Sequence, residues 1–251
     1  MKKIKIKIKG IDRDLAAQLD VPDSMEFEST AIFAHCFTCT KDLKSITNIS
    51  EGLNSGRIAV LRFDFTGLGG STGDFSKSSF ATNIEDLIHA SKFLEENYQA
   101  TELLIGHSLG GAAVIQVADK ISSVKAVATI AAPYYPEHLE NIINISKRKS
   151  KGNEKVKVTI AGRQFEISNE FYHDLDEKTM KQKIQNLNKP LCILHSPLDE
   201  IVGIEHATKI FVTAKHPKSF ISLNKADHLL LNPDDSKYAG RVIAEWASLY
   251  I

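Results

Sequence analysis

Apolar residues recur in short runs along the chain, at Ala31–His35, Ile58–Phe65, Leu103–Gly106, Ala126–Ile130, Leu191–Leu194 and Ser219–Leu223. Continuous runs of this length between turn-forming residues read as strands buried on both faces. Helical patterns separate them. Ser79–Tyr98 places Phe80, Ile84, Leu87, Ile88 and Leu94 at helical spacing, and Leu109–Lys120, Ile204–Thr213 and Ser236–Leu249 read likewise. The N-terminus has a different period. Ile4, Ile6 and Ile8 alternate with Lys3, Lys5, Lys7 and Lys9, which predicts a half-buried strand whose lysines discourage edge pairing. No helical pattern divides it from a second strand near 14–20, so the two are expected to form an antiparallel edge hairpin. The fold class predicted is α/β, a mostly parallel central sheet of about eight strands flanked by helices.

One segment breaks the alternation. Residues 133–188 are rich in charge and include KRKSKGNEKVK. They also hold VKVTIAGRQFEIS, two alternating runs around Ala161 and Gly162, which predicts a small hairpin. An excursion of ~55 residues between core strands is too long for a plain loop and should carry structure of its own. The expected organisation is a core of 1–132 and 189–251 with a lid, 133–188, over the sheet's C-terminal edge. The plainer alternative is a surface insertion away from any site.

The 251 residues suffice for one α/β domain. Apolar residues at 43% and charged residues at 25% describe a globular chain. Basic and acidic residues balance at 31 each, which removes a bulk electrostatic case for nucleic acid as partner. No apolar run approaches the ~20 residues of a membrane span, and the basic start has no hydrophobic stretch behind it. No membrane role and a cytoplasmic location are expected. There is no internal repeat. Cys36, Cys39 and Cys192 are read as forming no disulfide framework. Cys36 and Cys39 make a C-x-x-C, but a zinc site would need two more ligands and no second pair exists.

The densest chemistry lies in LLIGHSLGGAA, Leu103 to Ala113. Strand, G-x-S-x-G and helix in that order put a serine on a sharp turn with its hydroxyl above the sheet. Gly106 and Gly110 fit positions where a Cβ would strike the neighbouring strand or helix. Ser108 is then the candidate nucleophile, with the helix N-terminus aiming N–H groups at the reaction centre.

A serine hydroxyl needs a base, and the base needs an orienting carboxylate. His228, in KADHLLL after the last strand, is the preferred base. His195 ends a strand and would pack or cap there, His206 lies in a helix pattern, and His216 precedes Pro217. Asp199, after the penultimate strand, is the preferred carboxylate over Glu200, and Asp227 is too close to His228 in sequence to face it. The order Ser108, Asp199, His228 suits a hydrolase of this kind. Two backbone N–H groups should stabilise the oxyanion: that of Leu109, and one from AIFAHCFTCTKD, with Phe37 preferred over Cys36. Cys36, Phe37, His107, Phe171 and Tyr172 are the candidate substrate contacts. RFDFTGLGGSTGDF at 62–75 lacks the G-x-G-x-x-G pattern and is read as scaffolding, with Asp64 bonded to nearby backbone.

These motifs resemble the α/β-hydrolase superfamily over nearly the whole chain. The matching pieces are the HCF loop after Ala34, DFTGLGGS from Asp64, GHSLGG at 106–111, LDEIV from Leu198 and the Asp227–His228 pair. More narrowly, AHCFTCTKD, LRFDFTGLGGS and AGRQFEI look like the hydrolase domain that many bacteria carry fused to an OsmC-like peroxide-reducing domain. The chain stops at Ile251, so a stand-alone hydrolase without a peroxide-reducing role is expected. The usual loop has His-Gly where this chain has His35-Cys36, and the added Cβ should disfavour bulky esters. The resemblance implies a serine hydrolase with no metal or organic cofactor, acting on a small-molecule ester with a short acyl chain, as a monomer or homodimer. One rival is an aminopeptidase or amidase, which would use lid carboxylates such as Glu170, Asp174, Asp176 and Glu177 to hold an amine. The other is a non-catalytic binding module on the same fold.

Overall fold

The computed structural model describes residues 1–10, 12–135, 156–160, 163–167 and 177–251. Eight strands form one sheet: β1 (Lys2–Ile8), β2 (Leu15–Val21), β3 (Ser29–Ala34), β4 (Ile58–Phe63), β5 (Thr101–His107), β6 (Ala126–Ile130), β9 (Leu191–His195) and β10 (Lys218–Ser222). Their order is β1-β2-β4-β3-β5-β6-β9-β10. β1 pairs antiparallel with β2 and β2 antiparallel with β4. The remaining pairs are parallel. The mostly parallel sheet and the N-terminal edge hairpin stand as the sequence pattern implies.

The apolar runs are continuous because both sheet faces are covered. Alternate residues of β3 enter different cores. Ala31 and Phe33 join Ile46, Ile49 and Leu53 of α1 (Lys44–Ser55) and Ala239, Ile243 and Ala247 of α6 (Pro233–Ala247). Ile32 and Ala34 join the opposite core with Phe80, Ile84 and Leu87 of α2 (Phe80–Asn97) and Ala113 and Val114 of α3 (Leu109–Val117). α4 (Glu177–Gln185) and α5 (Ile204–Thr213) complete that second layer through Met180, Ile184, Ala207 and Ile210.

The pattern of apolar positions does not announce α1. Its apolar positions Ile46, Ile49 and Leu53 are set among polar residues that are themselves partly enclosed, such as Asn48 and Ser50. Asn48 donates to Ser236 of α6 at 2.9 Å, so polar positions serve a helix–helix contact rather than solvent.

Within the excursion, β7 (Val156–Ile160) and β8 (Arg163–Ile167) pair antiparallel, with Ile160 opposite Arg163, so the hairpin is present. The expected turn at Ala161 and Gly162 lies outside the described residues. β8 runs beside a short 3-10 turn, Phe75–Lys77. α4, at the end of the excursion, is packed on the main core: Met180 and Ile184 are buried, and Lys183 pairs with Asp119 at 2.7 Å. Among the described residues no helix is long and apolar enough to cross a membrane.

The topology also fixes where a site can form. The chain leaves β3 toward β4 on one side and returns through β5 to build the other side. The carboxyl ends of β3 and β5 are therefore adjacent loops at the point where strand order reverses, the crevice such sheets offer to ligands. Ala34 is paired with Gly106. Phe37 and Leu109 each lie three residues beyond that pair.

Candidate active site

Ser108 sits between β5 and α3 with φ 53° and ψ −124°. Left-handed φ is uncommon for a residue with a side chain, and a cluster of constraints maintains it here. The Ser108 amide donates to Ile130 of the neighbouring strand at 2.9 Å, and its carbonyl accepts from Gly111 at 2.8 Å. A Cβ on Gly106 would lie 2.2 Å from the Gly110 carbonyl oxygen, and one on Gly110 would lie 2.2 Å from that of Ala34. The turn closes only with bare backbone at both positions, as its sequence implies.

The structure brings Ser108, His228 and Asp199 together. His228 Nε2 is 3.1 Å from Ser108 Oγ, and His228 Nδ1 is 2.8 Å from Asp199 Oδ2. The second Asp199 oxygen accepts the amides of Ile201 and Val202, both at 2.9 Å. With one oxygen held by backbone, the other is fixed toward the imidazole. Burial pushes the Asp199 carboxyl up, but the hydrogen bond and charge of His228 and then the Val202 and Ile201 amides outweigh it. The net direction is below the ordinary carboxylate range, so Asp199 stays ionised and faces Nδ1–H.

Two further histidines hold this arrangement. His107 donates from Nε2 to the main-chain carbonyl of His228 at 2.7 Å. Burial, then the neighbouring His228, lowers its pKa to about 3, so it is a neutral donor. His195 donates from Nε2 to the Val202 carbonyl at 2.7 Å and lies beneath the Asp199 turn, 3.6 Å from Oδ2. The packing role expected for His195 is thus observed. For His107, read as a substrate contact, the observed partner is the base-bearing loop. No local signal in GHSLGG announces that link, because its partner carbonyl is 121 residues away in the chain.

The loop after β3 corrects one expectation. Cys36 and Cys39 are joined by a disulfide, and only Cys192, buried in β9, is free. Three positions apart in sequence, the two sulfurs are within bonding reach because the chain folds into a turn: the Cys39 amide donates to the Cys36 carbonyl at 3.1 Å. Bonded sulfurs are unavailable as zinc thiolates, and no cluster of three or more His, Cys, Asp or Glu suited to a metal occurs among the described residues.

The loop is anchored at both ends. His35 Nδ1 donates to the Cys36 carbonyl at 2.8 Å, and its Nε2 accepts the Phe65 amide at 3.3 Å, which defines one neutral tautomer. Burial lowers its pKa in agreement. At the other end Asp64 accepts the Lys41 amide at 2.6 Å and Lys41 Nζ at 2.9 Å. Asp64 also takes the Gly70 amide at 2.9 Å, so the glycine-rich stretch is the scaffold its sequence suggests. The buried Arg62 guanidinium holds the Lys41 carbonyl and Asp20. Between these anchors lies Phe37, its ring 5.7 Å from that of Phe75.

The remaining candidates separate cleanly. His206 accepts the Tyr134 amide at 3.1 Å. Asp227 accepts the amides of Leu229 and Leu231 and shapes the His228 loop from outside. Glu200 lies on the rim of a groove of about 560 Å³ that Leu198, Ile201, Leu229 and His228 also line. Leu109 is buried at the first position of α3. Phe171 and Tyr172 lie outside the described residues.

A serine on a strained elbow, an imidazole within reach and a fixed carboxylate are the parts of a nucleophilic hydrolase. Comparison with known proteins agrees in class. Residues 39–162 match a family described as serine aminopeptidase, S33. The esterase domain of a Rhodothermus marinus protein is 43% identical, with 100% of this chain and 99% of that one covered and a TM-score of 0.82. Est1E of Butyrivibrio proteoclasticus, solved with ferulic acid, is 20% identical with 97% and 99% covered and a TM-score of 0.84. The Pyrococcus furiosus esterase Pf2001 is 17% identical with 99% and 93% covered and a TM-score of 0.74. Comparison with curated proteins gives no match. The chain belongs to the α/β-hydrolase superfamily, and it is a hydrolase.

Proposed function

We propose that the protein is a carboxylesterase for short-chain esters that works through a Ser108–His228–Asp199 triad and an acyl-enzyme intermediate. The observation that carries this reading is the unbroken hydrogen-bonded line from Ser108 Oγ through His228 to Asp199. His228 Nε2 takes the hydroxyl proton as Ser108 Oγ attacks the ester carbonyl. The Leu109 and Phe37 amides receive the charge that develops on the carbonyl oxygen. Their placement is supported by the paired strands from which both loops emerge. His228 then gives its proton to the departing alcohol. Water, deprotonated by the same imidazole, releases the acid.

Ester rather than amide chemistry is favoured by the esterase relative that spans the whole chain, against a family match confined to 39–162. The aminopeptidase reading keeps one specific support, the description of that matched family. Of the carboxylates it would need, Glu170, Asp174 and Asp176 lie outside the described residues, and the side chain of Glu177 is likewise not described.

Residues 133–188 fit the role of a lid in part. The β7–β8 hairpin lies against the Phe75–Lys77 turn, and Phe75 touches Phe37, so this portion of the excursion approaches the oxyanion loop. A cytoplasmic location belongs to the same reading.

Turnover of p-nitrophenyl esters from acetate to laurate, set beside an aminoacyl p-nitroanilide, tests the proposal. Acetate or butyrate should be preferred, with the anilide slower by orders of magnitude. A preference for the anilide would overturn it in favour of a peptidase, and no turnover of any substrate by folded protein would favour a binding module.

A further inference from the structure

Three of the large apolar side chains exposed to solvent, Leu198, Ile201 and Leu231, converge on one groove. It lies between the loop after β9, which carries Asp199, and the loop after β10, which carries His228. Leu229 and His228 itself complete this wall, and the volume is about 560 Å³. Leu198 and Leu231 are 60% and 61% exposed, so folding alone gains little from either. Their backbones are nonetheless fixed. The Leu198 amide donates to Ser196 Oγ at 3.0 Å and the Ile201 amide to Asp199 at 2.9 Å. The Leu229 and Leu231 amides donate to Asp227 at 2.8 and 3.1 Å. An apolar concavity held open beside the candidate base has the character of a preformed ligand site.

The position of the groove decides what enters it. Sheet order puts the loop after β3, with the Phe37 amide, on one side of β5, and the loops after β9 and β10 on the other. An ester carbon bonded to Ser108 Oγ turns its oxyanion to the first side. Its alkoxy oxygen must come within hydrogen-bond reach of His228 Nε2, which is 3.1 Å from Ser108 Oγ. The carbon chain beyond that oxygen therefore starts at the imidazole, and the same residue lines the groove.

We propose that this groove is the subsite for the alcohol portion of the ester, with Leu198, Ile201, Leu229 and Leu231 as specificity-determining residues, so that the protein takes short-acyl esters of apolar primary alcohols. The inference rests on the serine-hydrolase reading of the same site and adds the other half of the substrate. When the acyl C–O bond breaks, its electron pair goes to the alkoxy oxygen, which takes the proton from His228 Nε2. The free alcohol then leaves along the open groove, and water takes its place at the imidazole.

The test measures kcat/KM for ethyl, butyl and hexyl acetate by acid release at constant pH, beside ethyl esters from acetate to hexanoate. These primary alcohols leave with similar intrinsic ease, so a gain along the series reports contact with the protein. Each added methylene of the alcohol should raise kcat/KM about twofold, part of the gain for full burial, or roughly fifteenfold from ethyl to hexyl. The acyl series should show no such rise. The double variant Leu198→Asn with Leu231→Asn should cut the ethyl-to-hexyl gain to less than about threefold. Val212→Asn, at an exposed apolar position of α5 outside the groove, should keep the full gain.

A native alcohol series without a gain would overturn the proposal, as would a gain that survives in the double variant. So would a double variant that changes the acyl series as much as the alcohol series, since the groove would then hold the acid side. If the double variant misfolds, by circular dichroism, the two single variants decide by the same comparison. Failure of the underlying reading shows separately, as turnover that survives Ser108→Ala.

Discussion

His107 and His228 are joined by a 2.7 Å hydrogen bond from the His107 ring to the His228 main-chain carbonyl. The residue before the nucleophile thus fixes the loop that carries the base. Their rings are also neighbours, with centroids 5.1 Å apart. His107 is a positioning residue in this account. His107→Ala should lower kcat by about tenfold with little change in KM, because small displacements of a general base are costly. His107→Gln, whose amide can donate to the same carbonyl, should recover part of the loss. Unchanged kcat in the alanine variant would show that the loop is held by other contacts.

Asp199→Asn separates orientation from charge. The asparagine carbonyl oxygen can still accept the Ile201 and Val202 amides, which turns its NH2 toward His228. His228 would then present the wrong tautomer to Ser108. Steady-state kinetics should show kcat lower by roughly three to four orders of magnitude, in proportion to the effect in serine proteases, with the urea midpoint little altered. Retention of a tenth of the native rate would remove Asp199 from the triad.

Three buried histidines make stability depend on pH. Burial lowers the pKa of His35, His107 and His195 in the folded protein, that of His107 to about 3. In the unfolded chain such groups take up protons near pH 6.5. Their depressed values therefore cost nothing above that pH and destabilise the fold progressively below it, each by up to about 1.4 kcal/mol per pH unit. Asp199 acts in the same direction lower down, since its depressed value gives stability that disappears as the carboxylate is protonated. Urea midpoints should be constant from pH 7 to 8 and fall steadily from 6.5 to 5. A midpoint unchanged at pH 5 would mean that these rings accept protons in place.

Much of this architecture was legible because it rests on local pattern. The lysine–isoleucine alternation of residues 3–9 reads as a half-buried edge strand, and G-x-S-x-G reads as an elbow because an apolar run precedes it and an alanine-rich stretch follows. Adjacency to His228 argues against Asp227 as its partner, and Asp227 does face backbone amides instead. What escaped depends on contacts distant in sequence. α1 escapes the pattern because Asn48, which donates to Ser236 of α6, and Ser50 are both buried, which blurs the polar face. The Cys36–Cys39 bridge was missed because cysteine spacing does not reveal whether the intervening backbone turns. That turn is stabilised from outside, by His35 bound to Phe65 and Lys41 bound to Asp64.

Covalent capture of the nucleophile is the most direct measurement. Intact-mass spectrometry after a fluorophosphonate probe should show one adduct per chain, mapped to the peptide containing Ser108. The adduct should be absent from Ser108→Ala and form far more slowly in His228→Ala. Folded native protein that stays unlabelled, or that carries its adduct on another residue, would contradict the account at its centre.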